Sequence, residues 1–208
     1  MNTSIHSGTA LITGACSGIG GVYADRLARR DHDLVLVAHD RDRLCAMASG
    51  ITDDTGRSIE VLAVDIATKE GLRSAERVLA TDASMTMLVN NAGTGATAPM
   101  HLACAAWPGF AARGHGTIIN IAAIAAAPFN GVPVDATAFV LAFSRSLHHA
   151  LAPQGIRVQA VLPAGMIMSI TDMVDAALVG LDLGEIVTIP GRPFANGRAG
   201  RARIRPPS

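Results

Sequence analysis

The chain has 208 residues, half of them hydrophobic, which is enough to bury one substantial core without disulfide or metal staples. Seventeen basic residues balance seventeen acidic ones, so bulk charge provides no steering toward nucleic acid, and no apolar run reaches the roughly twenty residues of a membrane span. Cys16, Cys45 and Cys104 form no CxxC or Cys/His spacing, so they read as buried reduced thiols rather than a disulfide framework or a metal site.

Short β-branched runs alternate with helical periodicity along the chain, the pattern of repeated βαβ units under a parallel sheet. The pattern predicts strands at 9–13, 33–38, 58–64, 85–90, 116–121, 156–162 and 185–189. The first helix is expected over about 18–30, with Ile19, Tyr23 and Leu27 on one face. Later helices are expected to start near Asp40, Thr68, Asp135 and Thr171, where short polar side chains suit N-caps. These elements form one α/β Rossmann domain, a doubly wound parallel sheet of about seven strands, over residues 1–190. Residues 191–208, rich in Gly, Pro and Arg, read as a flexible basic tail. The N-terminus has neither the charged start nor the apolar stretch of a secretion signal, so the expected location is the cytoplasm.

Directly after the first strand stands TGACSGIG, Thr13–Gly20, and a helix follows it. Glycines allow a close backbone approach, and the free N–H groups of a helix start favour an anionic pyrophosphate. With this loop, VDI (64–66), NNAG (90–93) and GTIINI (116–121) follow in order, and from about Thr9 to Pro190 the chain resembles the short-chain dehydrogenase/reductase family. The resemblance implies a nicotinamide dinucleotide held by Gly14, Ser17, Gly18, Ile19 and Gly20. It places Asp65 and Ile66 against the adenine, and Asn91, Ala92 and Gly93, with Asn90, around the nucleotide. Read without the family, Asp65 is a strand-ending turn residue, and Asn90 and Asn91 cap a strand end. At the end of the second strand, Ala38 stands where an acid would select NAD, and His39 stands where NADP-dependent members often carry Arg. His39 and Arg41 thus favour NADP over NAD and leave both open. Asp40 beside them also reads as a helix cap, and His39 as a merely exposed side chain.

The same resemblance exposes what is missing. The family moves a hydride between nicotinamide and a carbonyl or alcohol, with a Tyr to transfer the proton, a Lys four residues later to lower its pKa, and a Ser to orient the carbonyl. Here the Ser position falls on Ala123. Aligned without a gap, Pro133 stands for Tyr and Thr137 for Lys; with one deletion, Val134 replaces Tyr and Lys has no counterpart. The only Tyr in the chain is Tyr23 and the only Lys is Lys69, whereas His148 and His149 lie about 20 Å along a continuous helix from Val134. No catalytic residue is therefore assigned. Between NNAG and GTIINI the family's long helix, which also helps to build its usual dimer, is replaced by a shorter segment, so the crossover from strand 4 to strand 5 should be shortened. Trp107 and Phe110 are expected to plug part of the gap, and any homo-oligomer should use an altered interface. The substrate loop is altered too, with Ala164 in place of a glycine.

These features imply a nicotinamide-nucleotide-binding oxidoreductase relative with weak or no hydride transfer. A slow NADPH-dependent carbonyl reductase with a substitute proton donor, such as Asp135 or Thr137, is an alternative. A non-catalytic interaction subunit is another, and a decayed reading frame would carry the same deletions and tail. No nucleic-acid or membrane partner is expected.

Overall fold

A computed structural model describes residues 7–16, 18–91, 97–122, 136–163 and 168–191. Seven parallel strands form one sheet in the order β3-β2-β1-β4-β5-β6-β7. They are β1 (Thr9–Thr13), β2 (Asp33–Ala38), β3 (Ile59–Ala63), β4 (Met85–Asn90), β5 (Gly116–Ile121), β6 (Ile156–Val161) and the short β7 (Val187–Thr188). Among the described residues six α-helices connect them: α1 (Gly18–Ala28), α2 (Arg41–Thr55), α3 (Lys69–Thr81), α4 (Thr97–Arg113), α5 (Ala136–Leu151) and α6 (Ile170–Asp182). The order reverses between β1 and β4, and open α/β sheets bind ligands at the carboxyl ends of the strands flanking such a reversal.

Two cores account for the hydrophobic runs in the strands. On one face, Tyr23, Leu27, Val174 and Leu178 pack α1 and α6 onto Ile12, Leu36 and Val89. On the other, Leu79, Leu102 and Phe110 pack α3 and α4 onto Leu11, Val35, Leu88 and Ile118. Both faces of β1, β2, β4 and β5 are thus covered, which is why those strands read as continuous apolar runs rather than as an alternation.

Most predicted boundaries agree with the structure, and the exceptions have local causes. The chain leaves α1 at Ala28 because Arg30 N and His32 N both turn back to Leu27 O, and Asp31 takes a left-handed φ of 67°. Asp40 and Thr68 cap α2 and α3 by accepting from Arg43 N and Gly71 N. The last helix starts at Ile170 rather than beyond Thr171, because the Ser169 hydroxyl accepts from Asp172 N and takes the cap. Asp135, expected to cap α5, lies outside the described residues.

The crossover from β4 to β5 contains a helix of 17 residues, α4, which packs on α3 and covers β4 and β5. Phe110 is its anchor: the ring is fully buried and lies so close to β5 that a side chain at Gly116 would collide with it. Arg113 ties the end of α4 to the start of β4 by donating to Met85 O. Trp107, expected to share the plugging role, is instead 38% exposed, and Met100, two turns earlier on the same helix face, is exposed as well. No helix among the described residues is long and apolar enough to cross a membrane.

Candidate nucleotide site

The loop between β1 and α1 uses each of its glycines differently. Gly14 has a φ of 64°, the left-handed conformation that lets the chain turn sharply out of β1. A Cβ on Gly20 would collide with Gly14 O and stand 2.8 Å from Asn91 Nδ2, so this glycine lets α1 approach the strand. At Gly18, the first residue of α1, an added Cβ would meet, among the described residues outside its own helix, Ile170 Cδ1 at 2.8 Å and no backbone. A tight turn, an open backbone at the helix start and a close helix–strand approach are the three glycine roles of a dinucleotide loop. Ser17 lies outside the described residues, and Ile19 is partly buried against the α1 side of the core.

Asn91 holds this loop to β4. Its amide Nδ2 donates to Thr13 O and Gly14 O, both at 3.1 Å, and its backbone N–H donates to Thr13 Oγ1 at 3.0 Å. Thr13 Oγ1 in turn donates to Val89 O, and Ala15 N reaches Val37 O on β2. The loop is therefore pinned to β2 and β4 at the reversal of strand order. Asn91 thus serves as a brace for the loop. Asn90 points to the other side, where its Nδ2 donates to Asn120 Oδ1 at 2.9 Å and Asn120 Nδ2 donates to Ser144 Oγ at 3.0 Å. This buried chain fixes α5 to the ends of β4 and β5. Ala92 and Gly93 lie outside the described residues.

Asp65 is exposed at the end of β3, and its Oδ1 accepts from Ala67 N at 2.9 Å, which makes it a turn residue as well as a candidate contact. Ile66 beside it is buried. His39 is exposed just past β2, and Arg41 is exposed at the first position of α2. The sequence reading missed Arg43. Its guanidinium crosses from α2 to the glycine loop and donates to Cys16 O at 3.4 Å. Only the turn geometry after the Asp40 cap separates it from Arg41, so composition alone could not select it. The cysteines, expected to be buried, are not: Cys45 and Cys104 are exposed and Cys16 is partly buried. Partial burial and the nearby Asp40 carboxylate push the Cys16 thiol above its ordinary pKa, with Arg43 pulling the other way.

The proton-transfer side is sparse. Tyr23 is fully buried in α1 and burial pushes its phenol well above its ordinary pKa. Its hydroxyl finds no hydrogen-bond partner among the described residues. Removing an unpaired buried hydroxyl relieves a desolvation penalty. Tyr23→Phe should therefore leave stability unchanged or raise it by about 1 kcal/mol in a denaturant melt, and a loss larger than that would place a partner on the oxygen. Lys69 is exposed at the start of α3, and Thr137 is exposed on the first turn of α5. Ala123, Pro133, Val134 and Ala164 lie outside the described residues. Among the described residues there is no group of three or more His, Cys, Asp or Glu able to hold a metal ion.

A family model described as short chain dehydrogenase matches residues 8–106 and 94–178. The very-long-chain 3-oxoacyl-CoA reductase of Anas platyrhynchos is 28% identical over 181 residues, which cover 74% of this chain and 58% of that protein. Its counterpart in Phaeosphaeria nodorum is 30% identical, over 73% of this chain and 53% of that one. The chain thus spans a little over half the length of these curated relatives. Among solved structures, a bulky-bulky ketone specific alcohol dehydrogenase from Comamonas testosteroni is 41% identical, superposes with a TM-score of 0.82 and is matched over 91% of this chain and 88% of its own. A short-chain dehydrogenase from Sphingobium yanoikuyae, solved in complex with NADPH, is 40% identical with a TM-score of 0.81 and coverage of 88% on both sides. Glycine loop, strand order and sequence agree, and the chain belongs to the short-chain dehydrogenase family of NAD(P)-binding oxidoreductases.

Proposed function

We propose that this chain binds a nicotinamide dinucleotide across the carboxyl ends of β1 and β4, prefers NADP(H) to NAD(H), and has weak or no hydride-transfer activity of the family's usual kind. The observation that carries the binding is the braced glycine loop, in which Asn91 fixes Gly14 and Gly18 brings no side chain of its own to the α1 N-terminus. The N–H groups there and the helix dipole behind them suit the pyrophosphate, while Asp65 and Ile66 border the adenine side and Asn91 the other. NADPH in the Sphingobium yanoikuyae structure supports the choice of ligand.

The phosphate preference rests on three nitrogen-donor side chains where β2 ends and α2 begins. Arg43, leaning on the loop at Cys16 O, is the strongest candidate for the 2′-phosphate, with His39 and Arg41 beside it. Arg matches phosphate geometry with a fork of donors, and an exposed cluster of this kind is weakened by salt. Calorimetric titration tests both claims. NADPH is expected to bind about tenfold tighter than NADH, a gap of roughly 1.4 kcal/mol, and the gap should narrow in high salt and in Arg43→Ala. Equal affinities at every salt concentration would remove the preference; no binding of either nucleotide would remove the function.

The bound nucleotide would supply or accept a hydride. What the chain lacks is the group that moves the accompanying proton. Its one tyrosine is sealed inside α1 and its one lysine opens α3, so neither belongs to α5. Any carbonyl or alcohol would be held without phenol and ammonium, which supports a reading of low turnover.

A further inference from the structure

The nucleotide reading leaves one side chain out of place. The second glycine of a dinucleotide loop is free of a side chain so that the pyrophosphate can approach the backbone. At Gly18 that space is not open: Ile170 Cδ1 lies 2.8 Å from where a Cβ would stand, and outside its own helix no other described residue comes within 4 Å. The space kept clear of a side chain by Gly18 is therefore filled by a methyl group from another element.

We propose that Ile170 is a gate on the pyrophosphate berth, a side chain that must turn away before a dinucleotide can seat on Gly18. The proposal rests on the nucleotide reading above. Three features make the gate a defined one. Ile170 is the first residue of α6 and is 46% exposed, so its tip has solvent to swing into. Its backbone is fixed, because Ser169 Oγ accepts from Asp172 N at 3.0 Å and donates to Asp172 Oδ2 at 2.7 Å. The helix behind it is clamped to α1, the helix that Gly18 starts, through Arg26 to Asp175 at 2.7 Å and Arg30 to Asp182 at 3.1 Å. Backbone motion is thus restrained at both ends, and the gate opens by side-chain rotation alone. An isoleucine held away from its preferred rotamer loses a modest amount of energy, which every bound dinucleotide must meet.

Ile170→Val removes the one methyl that fills the berth and keeps the β-branched backbone preference, and Ile170→Phe enlarges the obstruction. In calorimetric titrations of the full chain, Ile170→Val is expected to bind NADPH about three- to tenfold tighter than the wild type and Ile170→Phe more weakly. Adenosine 2′-phosphate, which has no pyrophosphate, should bind all three alike. Unchanged or weaker NADPH binding by Ile170→Val would overturn the gate while leaving the nucleotide reading intact, and so would an equal shift for adenosine 2′-phosphate. Failure of every variant to bind either ligand would overturn both readings. Thermal melts of the three proteins should agree within a few degrees, since Ile170 lies outside both cores.

Discussion

Gly20→Ala should cost about 2–3 kcal/mol of stability, at the upper end of overpacking, and abolish measurable NADPH binding, whereas Gly18→Val should abolish binding with almost no loss of stability. The two glycines are two residues apart in one loop, yet their surroundings differ in kind. At Gly20 the new methyl would collide with the Gly14 carbonyl and press on Asn91 Nδ2 and on Ala15 Cα at 3.0 Å. Backbone atoms pinned to β2 and β4 cannot give way as a side-chain tip can. The collision therefore breaks the Asn91 brace, and the loop leaves the strand ends. At Gly18 the branched side chain displaces only the flexible end of Ile170, which is exposed and can turn into solvent. Folding survives, but the valine then stands where the pyrophosphate must come down on the backbone. A denaturant melt and a titration on each variant separate these effects. Tight NADPH binding by Gly18→Val would show that the site has been misplaced, and a stable, binding-competent Gly20→Ala would show that the brace is dispensable.

This contrast marks what the sequence could reveal. Strand positions were legible because both faces of β1, β2, β4 and β5 are buried, leaving uninterrupted apolar runs between Gly, Asp and Asn residues. The glycine loop was legible because its spacing encodes local backbone geometry. Interactions between distant segments were not. Asn91 as a brace depends on β4 lying beside β1, 78 residues away in the chain. Arg43 was hidden by its resemblance to Arg41, and only the turn of α2 around the Asp40 cap sends it to Cys16. Trp107 and Phe110 looked equivalent because residues three apart on a helix stand only about 60° from one another, and it is the docking of α4 on the sheet that buries Phe110 and leaves Trp107 at the edge of the buried face. The position of Ile170 over Gly18 is beyond any reading of local pattern, since it follows from where α6 docks.

Restoring Ser, Tyr and Lys together should produce NADPH oxidation with a reactive ketone where the unmodified chain shows little or none. Two alignments define the variants. The ungapped one gives Ala123→Ser, Pro133→Tyr and Thr137→Lys; the gapped one gives Ala123→Ser, Val134→Tyr and a lysine inserted between Thr137 and Ala138. Position 137 is exposed on the first turn of α5, and α5 is anchored through Ser144 to Asn120 on β5, so an ammonium added there has a fixed base. Replacements made singly should do little. A phenol without an adjacent ammonium keeps too high a pKa to move a proton at neutral pH, and an ammonium or hydroxyl alone transfers none, so residues that act as a unit give strongly non-additive effects. Tyr23 cannot substitute, since it is sealed in the core and its phenol is pushed further up by burial. Recovery should remain partial, because Ala164 stands where the family's substrate loop has a glycine, and a displacement of about 1 Å in a held carbonyl can cost on the order of a hundredfold in rate. The readout is NADPH consumption by absorbance for each triple, each single and the parent chain. Turnover by the parent equal to that of both triples would mean that another donor, Thr137 or an ordered water, already moves the proton; turnover by the triples alone would mean that the missing side chains are what silence an otherwise complete nucleotide site.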